Sequence, residues 1–231
     1  MPAALQKGLR TYQPVGIVLT KGSLRVPPKN QQARARLLEA ARDIIRARGF
    51  AATSVDELCR AAGVTKGAFF HHFASKEALG VAAAEYWSET TSALFAAAPY
   101  HAHADPLDRF LAYLEFRREL LAGAVSQYTC LVGTMVQETH ESAPAIRDAC
   151  ARSIHEHALT LVDDIKAAMA ARRVHGFSAE SLALHTQAVL QGAFILAKAQ
   201  QSRDLAAESV DHLIRYVRLL FNHPAAEELP A

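Results

Sequence analysis

From Gln31 onward, apolar residues recur at intervals of three and four. Leu37, Leu38, Ala41, Ile44 and Ile45, with arginines between them, predict an amphipathic helix ending at Gly49, a residue able to take a left-handed cap. Thr53 or Ser54 then caps a short helix, with Glu57 placed three residues after Ser54 as in a capping box. That helix buries Val55, Leu58 and Ala62 and closes at Gly63. Thr65 opens another short helix, Lys66 to His72, and Ser75 begins a longer one, Lys76 to about Ala97, stopped before Pro99.

The remainder reads the same way. Asp105-Pro106 is a cap with proline at the first helical position, and Leu107, Phe110, Leu111 and Leu114 share one face of a helix running to about Leu121. Further helices are expected over Val125–Thr139, from Pro144 to about Arg173, and from Ser178 to about Gln201. A last helix, capped by Asp204, carries Val210, Leu213, Ile214, Val217, Leu220 and Phe221 at helical intervals. The pattern predicts an all-α chain of about nine helices, with no convincing strand and no internal repeat. Residues 1–29, with prolines, glycines and no periodicity, read as a flexible basic arm or as upstream sequence; 30–75 as a helix-turn-helix unit; 76–222 as a second helical unit; and 223–231 as a disordered tail.

Composition narrows the class. An apolar fraction of 51% with 21% charged residues is incompatible with wholesale disorder, and only 7% aromatics with abundant alanine favours helix over sheet. No apolar run approaches the roughly 20 residues that span a bilayer, so a cytoplasmic protein without membrane contact is expected. Three cysteines, none in a CxxC pair, signal neither a disulfide scaffold nor a zinc site. The HxH pairs His101/His103 and His155/His157 would diverge on a helix, so neither a metal nor a cofactor is expected.

Charge changes the picture more. Residues 1–48 carry ten Lys/Arg against Glu39 and Asp43, a net +8, residues 49–80 balance, and residues 81–231 are net −6. A basic amino-terminal end on an acidic body suits contact with a polyanion. The segment from Arg34 to Leu79 supplies the means. One short helix braces a second across a glycine turn, so that the second can enter a major groove about 12 Å wide. Thr65 can donate to a phosphate or a base edge, the small residues Gly67 and Ala68 allow close approach, and Lys66 and Lys76 can neutralise phosphates. Phe69 and Phe73 are expected to face inward.

These residues resemble the tetracycline-repressor (TetR) family of transcriptional regulators. The matching runs are Arg36–Ala41, Gly49–Val55, Ala61–Phe73 and Ser75–Leu79. The resemblance implies that Thr65–His71 reads the major groove, with Thr53, Lys66, His71 and Lys76 near phosphates and Thr65, Gly67 and Ala68 near base edges. Where the family commonly has a tyrosine reaching a phosphate, this chain has Phe70, which cannot donate. The resemblance also implies a homodimer on a palindromic operator, built from the last two helices. The apolar stripe of Val210, Leu213, Ile214, Val217 and Leu220, with Val189 on the preceding helix, is the expected interface, the other reading being that the stripe packs into its own subunit.

A small-molecule effector is implied among the middle helices. Trp87, Phe95, Tyr113, Phe116, Tyr128, Cys130 and Met135 are the expected lining, with Gln137, Glu138 and His140 as polar candidates. The run beginning Cys130-Leu131-Val132-Gly133 is similar to one in a subgroup that includes sensors of electrophiles and oxidants. Cys130 is thus open to two readings, an inert buried thiol or a reactive one activated by a cation such as Arg117 or Arg118. The expected function is a repressor released by an effector or by thiol modification. A helical ligand-binding or adaptor protein that has lost DNA recognition is the alternative. No phosphate-binding glycine loop, GxSxG or HExxH signals an enzyme.

Overall fold

The computed structural model describes residues 29–222, so the expected arm (apart from Lys29) and the expected tail lie outside the described residues. Within them the chain is all helical. The order is α1 (Lys29–Arg48), α2 (Val55–Ala62), α3 (Lys66–His72), α4 (Lys76–Ala96), α5 (Pro106–Glu119), α6 (Val125–Tyr128), α7 (Leu131–Thr139), α8 (Pro144–Leu159), α9 (Val162–Arg172), α10 (Ala179–Gln200) and α11 (Arg203–Asn222). A 3-10 turn, Pro99–Ala102, joins α4 to α5.

The local signals work as chemistry requires. Ser54 caps α2 by accepting from Glu57 N, and the Glu57 carboxylate returns to the Ser54 amide at 3.0 Å. Those hydrogen bonds, with Arg48, hold the Glu57 carboxyl down to about 2. Gly63 takes the left-handed conformation, φ 62°, that turns the chain sharply from α2 into α3.

Two expected helices are each divided. The run from Val125 breaks at Thr129 and Cys130, both extended, and the Cys130 sulfur caps α7 by accepting from Gly133 N at 3.4 Å. The run from Pro144 bends at Thr160–Leu161, where the Thr160 hydroxyl turns back to the His157 carbonyl at 2.7 Å. The final helix starts at Arg203, which puts Asp204 inside its first turn.

Two hydrophobic clusters organise the packing. One gathers α5, α9, α10, α11 and the end of α4. The other unites Leu37, Leu38 and Ile45 of α1, Leu58 of α2 and Phe69 of α3 with Leu79 of α4, Leu131 and Met135 of α7 and Ile146 of α8. The first three helices therefore share their core with the body behind them. Fully burying a side chain such as Phe69 contributes roughly 1.5–3 kcal/mol.

A polar clasp reinforces that joint. Gly49, φ +91°, ends α1, and the Glu138 carboxylate of α7 accepts from the Ala51 amide at 2.7 Å. A Cβ at Gly49 would collide with that carboxylate, whereas one at Gly176, φ +95°, would meet nothing. Gly49→Ala should therefore cost more than the roughly 1–3 kcal/mol of backbone strain that Gly176→Ala bears, because it also dislodges a charged hydrogen bond. Urea denaturation of the two variants side by side measures the difference.

Candidate nucleic-acid interface and ligand cavity

The short helix α3 is held from below and bare above. Phe69 is fully buried, in edge contact with Phe70 at 5.2 Å and tilted against Phe73 at 5.7 Å, while the Arg34 guanidinium lies 5.6 Å from the Phe73 ring. On the outer side Thr65, Lys66, Gly67, Phe70 and His71 are exposed, Phe70 to 56%. The Thr65 hydroxyl oxygen accepts from Ala68 N at 3.1 Å and so keeps its own proton to donate. Lys66 is engaged with Asp56 of α2 at 2.7 Å. Lys76 is half-buried, donates to the Ala51 carbonyl at 3.3 Å and lies over the Phe50 ring at 4.5 Å, and this loss of hydration lowers its pKa. Thr53 departs from expectation. It is 1% exposed and its hydroxyl is spent on the Gly49 carbonyl at 2.6 Å, which makes it a brace for the α1–α2 turn and not a presented phosphate donor.

Behind this head lies a cavity of about 710 Å³. Its apolar wall includes Trp87, Phe95, Tyr128 and Phe194, with Gln187, Gln191, Ser126 and Ser153 among its polar groups. Three guanidiniums face it, those of Arg42, Arg46 and Arg117, against one carboxylate, Asp43. Asp43 is held by Arg42 at 2.7 Å. Arg46 is 9% exposed, donates from Nε to the Thr129 carbonyl at 2.7 Å and lies 4.9 Å from the Trp87 ring centre. Burial, with Arg42 nearby, pushes it down to about 10. Arg117 lies over Phe95 at 5.2 Å and Phe194 at 5.8 Å.

A relay joins two residues of this lining, Gln187 and His157, through Tyr113 behind it. Gln187 donates to the Tyr113 hydroxyl at 3.3 Å, and that hydroxyl lies 3.0 Å from His157 Nε2. With Nε2 the one acceptor in reach of the Tyr113 hydroxyl among the described contacts, assigning the hydroxyl proton to that nitrogen leaves the neutral ring's own proton on Nδ1. Burial, and then the Arg117 charge, push His157 down to about 3, so the imidazole is neutral at neutral pH.

Residues 37–83 match the model described as bacterial regulatory proteins, tetR family, and residues 106–207 match that of the C-terminal domain of LmrA/YxaF-like transcriptional regulators. The chain belongs to the TetR family of transcriptional regulators. It is 30% identical over 118 residues to the transcriptional regulator AcuR of Cereibacter sphaeroides, covering 51% of this chain and 54% of AcuR. The chain spans about half, or less, of the length of the curated relatives it matches. Among solved structures, a TetR regulator from Chloroflexus aurantiacus superposes with a TM-score of 0.71 at 26% identity, over 82% of this chain and 96% of its own. The reduced form of Escherichia coli NemR superposes with a TM-score of 0.71 at 23% identity, over 84% and 99%. TetR-family members are DNA-binding transcription factors and not enzymes. Among the described residues, no helix is long and apolar enough to cross a membrane.

Of the expected cavity residues, Trp87, Phe95, Tyr128 and Cys130 do line it. Met135 does not, because it is fully buried in the core shared by head and body. Gln137 does not either; it is exposed and turned back onto the Gly133 carbonyl at 2.7 Å. Tyr113 and Phe116 sit one layer behind, packed on Phe95. Glu138 and His140 are exposed, outside the lining. Arg42, Arg46 and Arg117 are the cavity-lining residues that periodicity missed, since charge at a helical position reads as a solvated face.

The expected dimer stripe also needs correction. Val210, Leu213, Ile214 and Val217 are buried in this subunit's own core, since α11 closes against α5 and α10. Val189 and Leu220 are partly buried against the same cluster. The exposed large apolar side chains on these two helices are Leu184, Ile195, Leu196, Tyr216 and Leu219.

His157 gives the cavity a pH signature. Its folded pKa lies below the usual 6.5, so its contribution is complete above pH 6.5 and is lost as pH falls toward about 3, where the unfolded chain takes up a proton that the folded one refuses. The slope attributable to this ring is at most about 1.4 kcal/mol per pH unit. His157→Gln should flatten the pH dependence of unfolding free energy between pH 6.5 and about 4, as read by denaturant titration at several pH values.

Proposed function

We propose that this protein is a homodimeric repressor that binds a palindromic operator and leaves it when a small molecule occupies the cavity behind α1. In this reading residues 30–75 form the DNA-binding head and 76–222 the ligand-binding and dimerisation unit. The observation that carries it is the pairing of two features: a short helix bare on one face over a buried aromatic floor, and a large cavity walled in part by the head's own first helix. Thr65, Lys66, Gly67, Ala68, Phe70, His71 and Lys76 make the DNA-facing set, with two recognition helices about 34 Å apart in the dimer. Lys66 exchanges its partner Asp56 for a phosphate on binding.

A mixed pool of duplex fragments, selected on the purified protein and then titrated by fluorescence anisotropy at two salt concentrations, tests this. Tight palindrome binding that weakens steeply with salt is the expected outcome. No selectable duplex would instead favour the adaptor reading. Phe70→Tyr should tighten operator binding roughly two- to tenfold by restoring one phosphate hydrogen bond, as measured in the same titration.

The exposed side chains of α10 and α11 are the proposed dimer surface. Ile195→Asp should dissociate the dimer in sedimentation with little change in helicity. Val217→Asp should unfold the subunit, because it places a charge in its core.

One observation favours thiol modification as a second release signal. Cys130 lines the cavity at the start of α7, in the same wall as the Arg46 and Arg117 guanidiniums. Of the two expected activating cations, Arg118 is bound to Asp211 at 2.7 Å, whereas Arg117 shares the cavity lining with Cys130. Cys59 and Cys150 are buried, and burial pushes the Cys150 thiol up to about 12. Alkylation of the protein by a small electrophile, with Cys130→Ser as control, tests for loss of operator binding.

A further inference from the structure

We infer that the cavity selects amphipathic carboxylates, gripped by the guanidinium of Arg46 in α1 with Arg117 of α5 as the supporting charge. The inference rests on the cavity being the effector site and names the chemistry of the effector.

Taking a guanidinium from water into a protein interior is costly unless a counter-charge or a full set of hydrogen bonds replaces the lost hydration. Arg42 has that compensation in Asp43. Among the described residues, Arg46 and Arg117 form no ion pair with any carboxylate. Arg46 is nevertheless 9% exposed and holds one hydrogen bond, from Nε to the Thr129 carbonyl. That tether and the Trp87 ring fix the plane of the guanidinium while its two terminal amino groups remain for a guest. Two parallel N–H donors in a fixed fork match the two oxygens of a carboxylate.

The rest of the cavity excludes other classes. A cationic guest would meet the two uncompensated positive charges and one carboxylate already bound to Arg42. A small inorganic anion would leave the aromatic wall of Trp87, Phe95, Tyr128 and Phe194 uncovered, and an apolar body accounts for it. His157, neutral and lining the cavity, adds no charge to this balance.

The position of Arg46 gives the guest a direct handle on the head. It lies in the last turn of α1, the helix that packs against both α2 and α3. A carboxylate on Arg46 therefore acts on the DNA-reading unit through a single side chain.

The chain's one tryptophan, Trp87, stands against Arg46 and supplies the readout. Full-length protein would be titrated with 4-phenylbutyrate, 4-phenylbutyramide and 4-phenylbutylamine at constant ionic strength, following Trp87 emission. The acid should bind at least about tenfold more tightly than the amide, and the amine should bind most weakly. Arg46→Gln should erase the preference for acid over amide, and Arg117→Gln should reduce it. If Arg46→Gln fails to fold by its melting profile, Arg46→Lys decides. It keeps the charge but loses the fork, so the preference for acid must drop at least about threefold.

Equal binding of acid and amide, preference for the amine, no response of Trp87 to any probe, or an undiminished preference in Arg46→Lys would each overturn the inference. A parallel operator titration separates the two claims. Release from DNA by the amide alone would sink the carboxylate assignment and leave the regulator standing. Absence of any DNA binding would sink the regulator reading, whereas the Trp87 titration would still decide the carboxylate assignment.

Discussion

The arrangement turns on one side chain lodged between two units. Arg46 leaves the last turn of α1 and enters the body, where its Nε meets the Thr129 carbonyl. That carbonyl sits where the helical run breaks, since Thr129 and Cys130 are extended between α6 and α7. A continuous helix there would direct the carbonyl to its own backbone ladder. The break, the buried guanidinium and the cavity are thus parts of one local solution, and each loses its physical reason if another is removed.

Around that contact, head and body are joined by apolar packing and by the Glu138 clasp. Leu37, Leu38 and Ile45 share a cluster with Leu131, Met135 and Ile146, and Glu138 holds the turn that follows α1. Packed cores resist continuous deformation, so in the proposed regulator a change at the α1 contact shifts the head as a unit. An effector works only through a difference in affinity between two such positions. In the proposed regulator, a guest on Arg46 supplies that difference at the joint itself.

The head needs little else. Helix α3 has seven residues, too short to be stable alone. Burial of Phe69 and Phe73 holds it in place and leaves the opposite face uncovered. Phe70 then stands out as a large apolar ring on that open face, where an amphipathic residue would serve a polyanion better.

Much of this was legible along the chain. The helix starts at Ser54, Thr65, Ser75, Asp105 and Ser178 are side-chain caps within a few residues of their targets, and the Gly49 and Gly63 stops are backbone properties, so local sequence determined them. The inward facing of Leu37, Leu58, Phe69 and Phe73 followed from period and short-range geometry. What only the tertiary structure decided was which partner covers each surface. The stripe Val210–Val217 is apolar whether a neighbouring helix or a second subunit buries it, and α5 and α10 of the same chain proved to do so. Likewise Arg46 and Arg117 have the residue type and spacing of solvated positions. Their burial against Thr129, Trp87, Phe95 and Phe194 comes from contacts tens of residues apart, which no local pattern encodes.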